Sequence, residues 1–205
     1  MSLKHAKLIV FARAPVKGQV KTRLANRIGD DRALEIYRDM LDSVLQEMSA
    51  CNFNVCGYSD NPDDSYFAYW KQKGITFHQQ TGEDLGERMF NALQTEKPDH
   101  APVLLMGSDC PQLSCDIAHK VIHELDSGKQ VVIVPSTDGG YVLIAFVKKI
   151  YPQLFEGISW STGRVMQQTE EKLSSLGLSY SLLTPLLDID DFDDYRNWLG
   201  ISQRL

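Results

Sequence analysis

The chain has 205 residues and a mass of 23.2 kDa, with 43% hydrophobic and 23% charged residues, 14 Gly and 8 Pro. That composition excludes collagen-like, disordered and coiled-coil classes, and the length suits one domain over residues 1–205 with a core that needs no disulfide. The formal net charge of -6 hides an asymmetry, because residues 1–29 hold seven Lys or Arg and no acid while the rest hold 14 bases against 27 acids. An acidic body repels a polyphosphate backbone, so long nucleic acid is not an expected partner.

In chain order, residues 7–12 read as a buried strand, and 31–49 carry apolar side chains at the spacing of an amphipathic helix. The apolar run at 8–12 is too short for a signal h-region or a membrane span, so the expectation is no transmembrane segment, a cytoplasmic location and reduced thiols at Cys51, Cys56, Cys110 and Cys115. The two C-x4-C spacings do not suit a metal, since Cys51 and Cys56 flank a strand with an odd separation that points them to opposite faces. Strand 52–58, helix 63–73, strand 75–78, helix 85–93 and strand 103–106 follow. Ser114 caps a helix to about residue 125, 130–134 and 141–147 are strands, and helices at 161–175 and 191–199 flank a strand near 178–183. Strand and helix alternate over the first 125 residues, which calls for a three-layer α/β/α arrangement with a mostly parallel sheet. The 131–134 and 141–147 pair adds an antiparallel element.

The basic residues are where function begins. Lys4 and Lys7 read as ordinary solvated bases, but Arg13, Lys17, Lys21, Arg23 and Arg27 lie in one short stretch directly after the first strand. An anionic ligand explains them, and Lys21 and Arg23 read as exposed loop charges. In open parallel sheets ligands bind outside the carboxyl ends of the strands, where the first strand commonly lies beside the fourth. That rule brings Asp109, at the end of the 103–106 strand, next to Arg13, Lys17, Lys21 and Arg23. A carboxylate among bases is either a plain ion pair or a metal-bridged phosphate site. Gly18, Lys21 and Thr22 do not make a P-loop, for one glycine is missing and the lysine is displaced.

The run from Phe11 to Leu24 resembles the N-terminal signature of an uncharacterised bacterial glycosyltransferase-like family with the GT-A fold, related to molybdenum-cofactor and phospholactate guanylyltransferases. Further similar segments appear in family order at 81–89 (TGEDLGERM), 107–111 (GSDCP), 135–141 (PSTDGGY), 158–162 (ISWST) and 188–190 (DID). The resemblance implies the GT-A, or nucleotide-diphospho-sugar transferase, fold and nucleotide contact by Gly82, Asp84 and Arg88. It also implies that Asp138 and Tyr141 face the acceptor pocket, and that a late carboxylate, matching Asp190 better than Asp188, supplies the second metal ligand.

Each of these positions has a plainer alternative. Asp84 can be a helix cap, Asp138-Gly139-Gly140 a hairpin turn, and the acids from Asp188 to Asp194 partly caps for the last helix. Trp160 is a packed indole or a stacking platform for a sugar or base, with Ser161 or Thr162 capping the helix after it. His119 and His123 share a helix face without a zincin glutamate and read as surface histidines.

The expectation is a transferase acting on an activated nucleotide, with Mg2+ or Mn2+ held by Asp109 and Asp190. As a glycosyltransferase it binds a nucleotide-diphospho-sugar, and the metal with Lys17, Lys21 and Arg23 stabilises the departing diphosphate. As a nucleotidyltransferase it binds a nucleoside triphosphate, and the same groups stabilise attack on the α-phosphoryl by a phosphorylated small-molecule acceptor. The loop lacks the L-x-x-G-x-G-x-R form of pyrophosphorylases, which ranks the second chemistry behind the first. Asp138 is the candidate base or acceptor orienter. A non-catalytic anion-binding module, which needs the bases but not the acids, is the third reading.

Overall fold

A computed structural model of the chain describes residues 6–97, 99 and 101–202, so the reading of Lys4 lies outside the described residues. The seven strands are β1 (Lys7–Ala12), β2 (Asn54–Ser59), β3 (Thr76–Gln79), β4 (Val103–Gly107), β5 (Val131–Pro135), β6 (Tyr141–Phe146) and β7 (Tyr180–Leu182). They form one sheet in the order β3-β2-β1-β4-β6-β5-β7. Strand β1 does lie beside β4, and every pairing is parallel except those of β6 with β4 and β5.

Alternation along β1 assigns the layers. Leu8, Val10 and Ala12 face a cluster that includes residues of helices α1 (Thr22–Ile28), α2 (Asp30–Ala50) and α5 (Cys115–Asp126), with α7 (Phe192–Ser202) packed against it. Ile9 faces the opposite cluster with α4 (Leu85–Glu96) and α6 (Val165–Ser175). The two apolar faces of a parallel sheet must both be covered, and these helices cover them. A short helix, α3 (Ala68–Gln72), follows a 3-10 turn that Asp64 caps through the Tyr66 N–H.

Four local expectations change. The basic stretch is not all loop, because α1 begins at Thr22 with only Leu24 buried, too little apolar periodicity to read from the sequence. Helix α6 starts at Val165, and Thr162 does not cap it; the Thr162 hydroxyl donates to the Ser159 carbonyl at 2.7 Å and accepts from the Arg164 N–H, closing the turn before the helix. Lys7 is not a free solvated base, since its ammonium lies 2.8 Å from Glu96 and its side chain is only 15% exposed. Cys51 and Cys115 are not separate thiols, because a disulfide joins the end of α2 to the start of α5 across 64 residues of sequence. Cys56 and Cys110 remain free and buried. His119 and His123 are exposed on α5. No helix among the described residues is long and apolar enough to cross a membrane.

Candidate active site

The sheet sets where the chemistry can be. The parallel registers keep β1, β2, β3 and β4 level, with Phe11 opposite both Tyr58 and Gly107, so Arg13, Asp60, Gln80 and Asp109 all leave at one edge. Because β6 runs against its neighbours, the β5–β6 connection with Asp138 emerges at the same edge. The chain after β7 runs alongside, with Ser136 bridged to Leu186. Together these loops enclose a cavity of about 900 Å3.

Hydrogen bonds around Tyr37, only 3% exposed on α2, link the two central loops. Its hydroxyl accepts from the Arg13 N–H and donates to the Arg13 carbonyl, both at 2.9 Å, and lies 3.5 Å from Ser108 Oγ. The Ser108 hydroxyl donates to Asp109 Oδ1 at 3.1 Å. Burial pushes the Tyr37 phenol up, helped by the Asp109 charge, so it stays protonated as a donor. Asp60 holds the loop from the other side, accepting from the Ala14 N–H at 2.7 Å and from Arg13 Nε at 3.2 Å. Burial acts to raise the Asp60 carboxyl, but these donors outweigh it and hold it low. Gln80 Nε2 donates to the Ala12 and Tyr58 carbonyls and ties β1 to β2.

At the centre, Lys21 is not an exposed loop charge. Its side chain is 4% exposed, and Nζ lies 3.0 Å from Asp109 Oδ2 and 3.1 Å from Asp190 Oδ1. Lys21 adopts a left-handed conformation, φ 48°, immediately before α1, which sets its stem apart from the helix that follows. Burial acts to lower its ammonium, yet the carboxylates of Asp109, Asp190 and Asp188 outweigh that and raise it. Arg23, largely exposed, approaches Asp190 Oδ2 at 3.6 Å.

The late acids are positioned by the backbone of Asp109 itself. The Ile189 N–H donates to the Asp109 carbonyl at 3.1 Å, and the Leu187 N–H to Gln112 Oε1 at 2.9 Å. This pins 187–189 so that Asp188 and Asp190 flank the buried, inward Ile189. Helix capping uses other acids, with Asp191 accepting from the Asp193 and Asp194 N–H groups and Asp194 from those of Asp190 and Asp191. Asp188 is mostly buried, and its Oδ1 has no hydrogen-bond partner among the described residues. Burial, then the Asp109 charge, pushes its carboxyl up to about 7, against the pull of Lys21. Asp138, Asp188 and Asp190 each offer an oxygen within 4.8 Å of the others.

The remaining wall comes from the β5–β6 turn resting on the segment before α6. Gly139, at φ 91°, would place a Cβ 2.3 Å from the Gly163 carbonyl oxygen, so only glycine permits this contact. Asp138 does serve the turn, accepting from the Gly140 N–H at 3.0 Å, and still lines the cavity. Trp160 lies over Gly86 of α4, where an added Cβ would sit 2.6 Å from its indole nitrogen. It meets Tyr141 edge to face with ring centroids 6.3 Å apart. Its buried N–H has no partner among the described residues.

Of the residues singled out from sequence, Arg13, Lys21, Arg23, Arg88, Asp109, Asp138, Tyr141, Trp160 and Asp190 line the cavity. Lys17, Gly82 and Asp84 do not. Lys17 is drawn to Asp31 at 2.7 Å, Asp84 caps α4 by accepting from the Glu87 N–H, and Gly82 serves indirectly, its carbonyl accepting from Arg88 Nε at 3.0 Å. Sequence reasoning missed Tyr37, Asp60, Gln80 and Ser108. Asp60 and Gln80 carried a usable signal, since each directly follows a strand, as Asp109 nearly does. Tyr37 carried none, being one more apolar-face position of a long helix.

Residues 40–162 match a family described as "Uncharacterized protein conserved in bacteria". Among solved structures, a protein of Desulfovibrio desulfuricans G20 provisionally designated a nucleotide-diphospho-sugar transferase is 31% identical, with a TM-score of 0.89 over 97% of this chain and 88% of that one. At fold level only, the chain is similar to 4-diphosphocytidyl-2C-methyl-D-erythritol synthase of Anaerococcus prevotii DSM 20548, with 13% identity and a TM-score of 0.64 over 97% of this chain and 98% of that one. It is similar at the same level to a CMP:2-keto-3-deoxy-manno-octonic acid synthetase complexed with CTP, with 12% identity and a TM-score of 0.61 over 98% and 99% of the two chains. No curated protein matches the sequence.

Proposed function

The chain belongs to this uncharacterised bacterial family, DUF2064, and we propose that it is a transferase that uses an activated nucleotide, with a nucleotide-diphospho-sugar as donor. The observation that carries this is the meeting of cations and carboxylates at the carboxyl edge of the sheet, inside a cavity large enough for a nucleotide. Arg13 is engaged by Asp60 and Lys21 by Asp109 and Asp190, which leaves Arg23 and Arg88 as the more available bases on the cavity wall. The β5–β6 turn and the segment before α6 combine the Trp160 and Tyr141 rings with Asp138 and the hydroxyls of Ser161 and Thr162, a surface that suits the apolar faces and hydroxyls of a sugar.

In this reading the bond between the sugar's anomeric carbon and the diphosphate oxygen breaks while one forms to an acceptor hydroxyl. The hydroxyl proton passes to a carboxylate, a role for which Asp138 is the candidate because it lines the cavity beside Tyr141. Negative charge grows on the leaving diphosphate, where Arg23 and Arg88 stabilise it. A divalent cation fits the same place, since Asp138, Asp188 and Asp190 offer hard oxygen donors within 4.8 Å of one another, Asp109 lies across Lys21 from Asp190, and Asp188 Oδ1 is buried without a partner among the described residues. Mg2+ or Mn2+ held by Asp190 with Asp109 or Asp188 would neutralise phosphate oxygens.

The test incubates the protein with Mg2+ or Mn2+, a panel of nucleotide sugars and hydroxyl acceptors, and measures nucleoside diphosphate release. Pyrophosphate release from a triphosphate with a phosphorylated acceptor would instead establish the nucleotidyltransferase, and nucleotide binding indifferent to metal would establish an anion-binding module. Arg23→Glu should weaken nucleotide binding at least tenfold with the fold intact, because Arg23 is 70% exposed and exposed pairs contribute about 0–1 kcal/mol to stability. Unchanged affinity would refute the phosphate role of the loop.

A further inference from the structure

We propose that Lys21 is the built-in counter-cation of the Asp109–Asp190 pair, so that a divalent ion is excluded on its own and enters only together with the phosphates it carries. The inference rests on the proposed nucleotide-dependent reading and adds an order of binding to it.

The geometry is specific. Lys21 Nζ sits between the two carboxylates, within 3.1 Å of each, and its side chain is almost wholly buried. An ammonium has three donors and no acceptor, so it does for these oxygens what a metal ion would. Arg23 stands at the outer oxygen of Asp190. Asp109 is thus met by Lys21, and Asp190 by Lys21 and Arg23, with Asp138 and Asp188 standing beside Asp190. A free divalent ion arriving there must take oxygen ligands already held by Lys21, and it meets a positive charge a few ångströms away inside a partly buried site, where repulsion is weakly screened.

A diphosphate changes that balance. It brings negative charge for Lys21 and Arg23 to follow, and it supplies oxygens that the metal already shares. The four-carbon stem of Lys21, leaving the chain from the left-handed residue before α1, lets the ammonium turn from the carboxylates to the phosphates without moving the helix. Lys21 is thus a positioning residue: it keeps two like-charged carboxylates together while no ligand is bound, and releases them to the metal when phosphate arrives.

The experiment measures Mn2+ uptake by electron paramagnetic resonance, with Mn2+ alone and with Mn2+ plus inorganic pyrophosphate. Wild type should show no saturable uptake of Mn2+ alone and one saturable site with pyrophosphate. Lys21→Met should take up Mn2+ alone at least tenfold more tightly than wild type, and Mn2+ alone should raise its melting temperature. Lys21→Gln, which keeps a donor but no charge, repeats the test should Lys21→Met fold poorly, while Lys21→Arg should behave like wild type. Adding Asp190→Asn to Lys21→Met should remove the gain. Saturable binding of Mn2+ alone by wild type, or no gain in the folded uncharged variants, overturns the inference while leaving the nucleotide reading standing. Failure of wild type to take up Mn2+ even with pyrophosphate overturns the metal-dependent reading and the inference with it.

Discussion

Asp188→Asn tests the buried carboxyl at the centre of the site through the pH dependence of folding. The native carboxyl, held near 7 against an ordinary value of 3.8, binds its proton more tightly than the unfolded chain does. At this one group the native state therefore holds the proton over that interval, and its contribution to stability falls as pH rises from about 4 through 7, then levels off. At about 1.36 kcal/mol per pH unit, the fall attributable to this one group approaches about 4 kcal/mol. Its physical source is a carboxylate oxygen that is buried without a partner and faces Asp109 and Asp190. An amide imitates the protonated carboxyl. The variant should match wild type near pH 4.5 and exceed it by about 2–4 kcal/mol at pH 8, as read from urea unfolding curves at half-unit steps of pH. Mg2+ together with inorganic pyrophosphate at pH 8 should return stability to wild type and little to the variant. Curves that run parallel across the whole range would show that Asp188 is not held in this state, and would remove the argument that its orphaned oxygen awaits a cation.

Two further outcomes follow from packing and chain connectivity. Gly139→Ala places a methyl against the Gly163 backbone at a φ of 91°, which should cost about 2–5 kcal/mol from strain and overpacking together and weaken nucleotide-sugar binding by shifting the Asp138 wall; Gly140→Ala, whose Cβ meets only the Asp138 side chain at 3.3 Å, should cost far less, and equal losses would refute the close-contact argument. Reduction of the Cys51–Cys115 bond frees a closure of 64 residues, for which chain entropy predicts a loss of up to about 4 kcal/mol; thermal unfolding with and without dithiothreitol checks it, and identical curves would show that the linkage does not constrain the unfolded chain.

Local pattern was enough to order the strands and helices, because a buried strand or a one-sided helix writes its environment into a period of 2 or 3.6 residues. The rule that ligands gather at the carboxyl edge likewise sufficed to bring Arg13, Lys21 and Asp109 to one cavity. Short elements escaped it: α1 buries a single residue, and the turn before α6 is held by Thr162 and Gly163 rather than by periodicity.

What only the tertiary structure decided is which charges are spoken for. Lys17 and Lys21 are four residues apart in the same basic stretch, yet one lies exposed against Asp31 and the other is buried between Asp109 and Asp190. Asp188 and Asp190 are two apart, yet one has a buried, unpartnered oxygen while the other meets Lys21 and Arg23. Cys51 and Cys115 meet only because α2 and α5 pack on the same face of the sheet. Partners 64 to 169 residues distant leave no trace in local spacing. Charge type and approximate place are properties of the sequence, whereas burial and pairing, which set what a charge can do, are properties of the assembled fold.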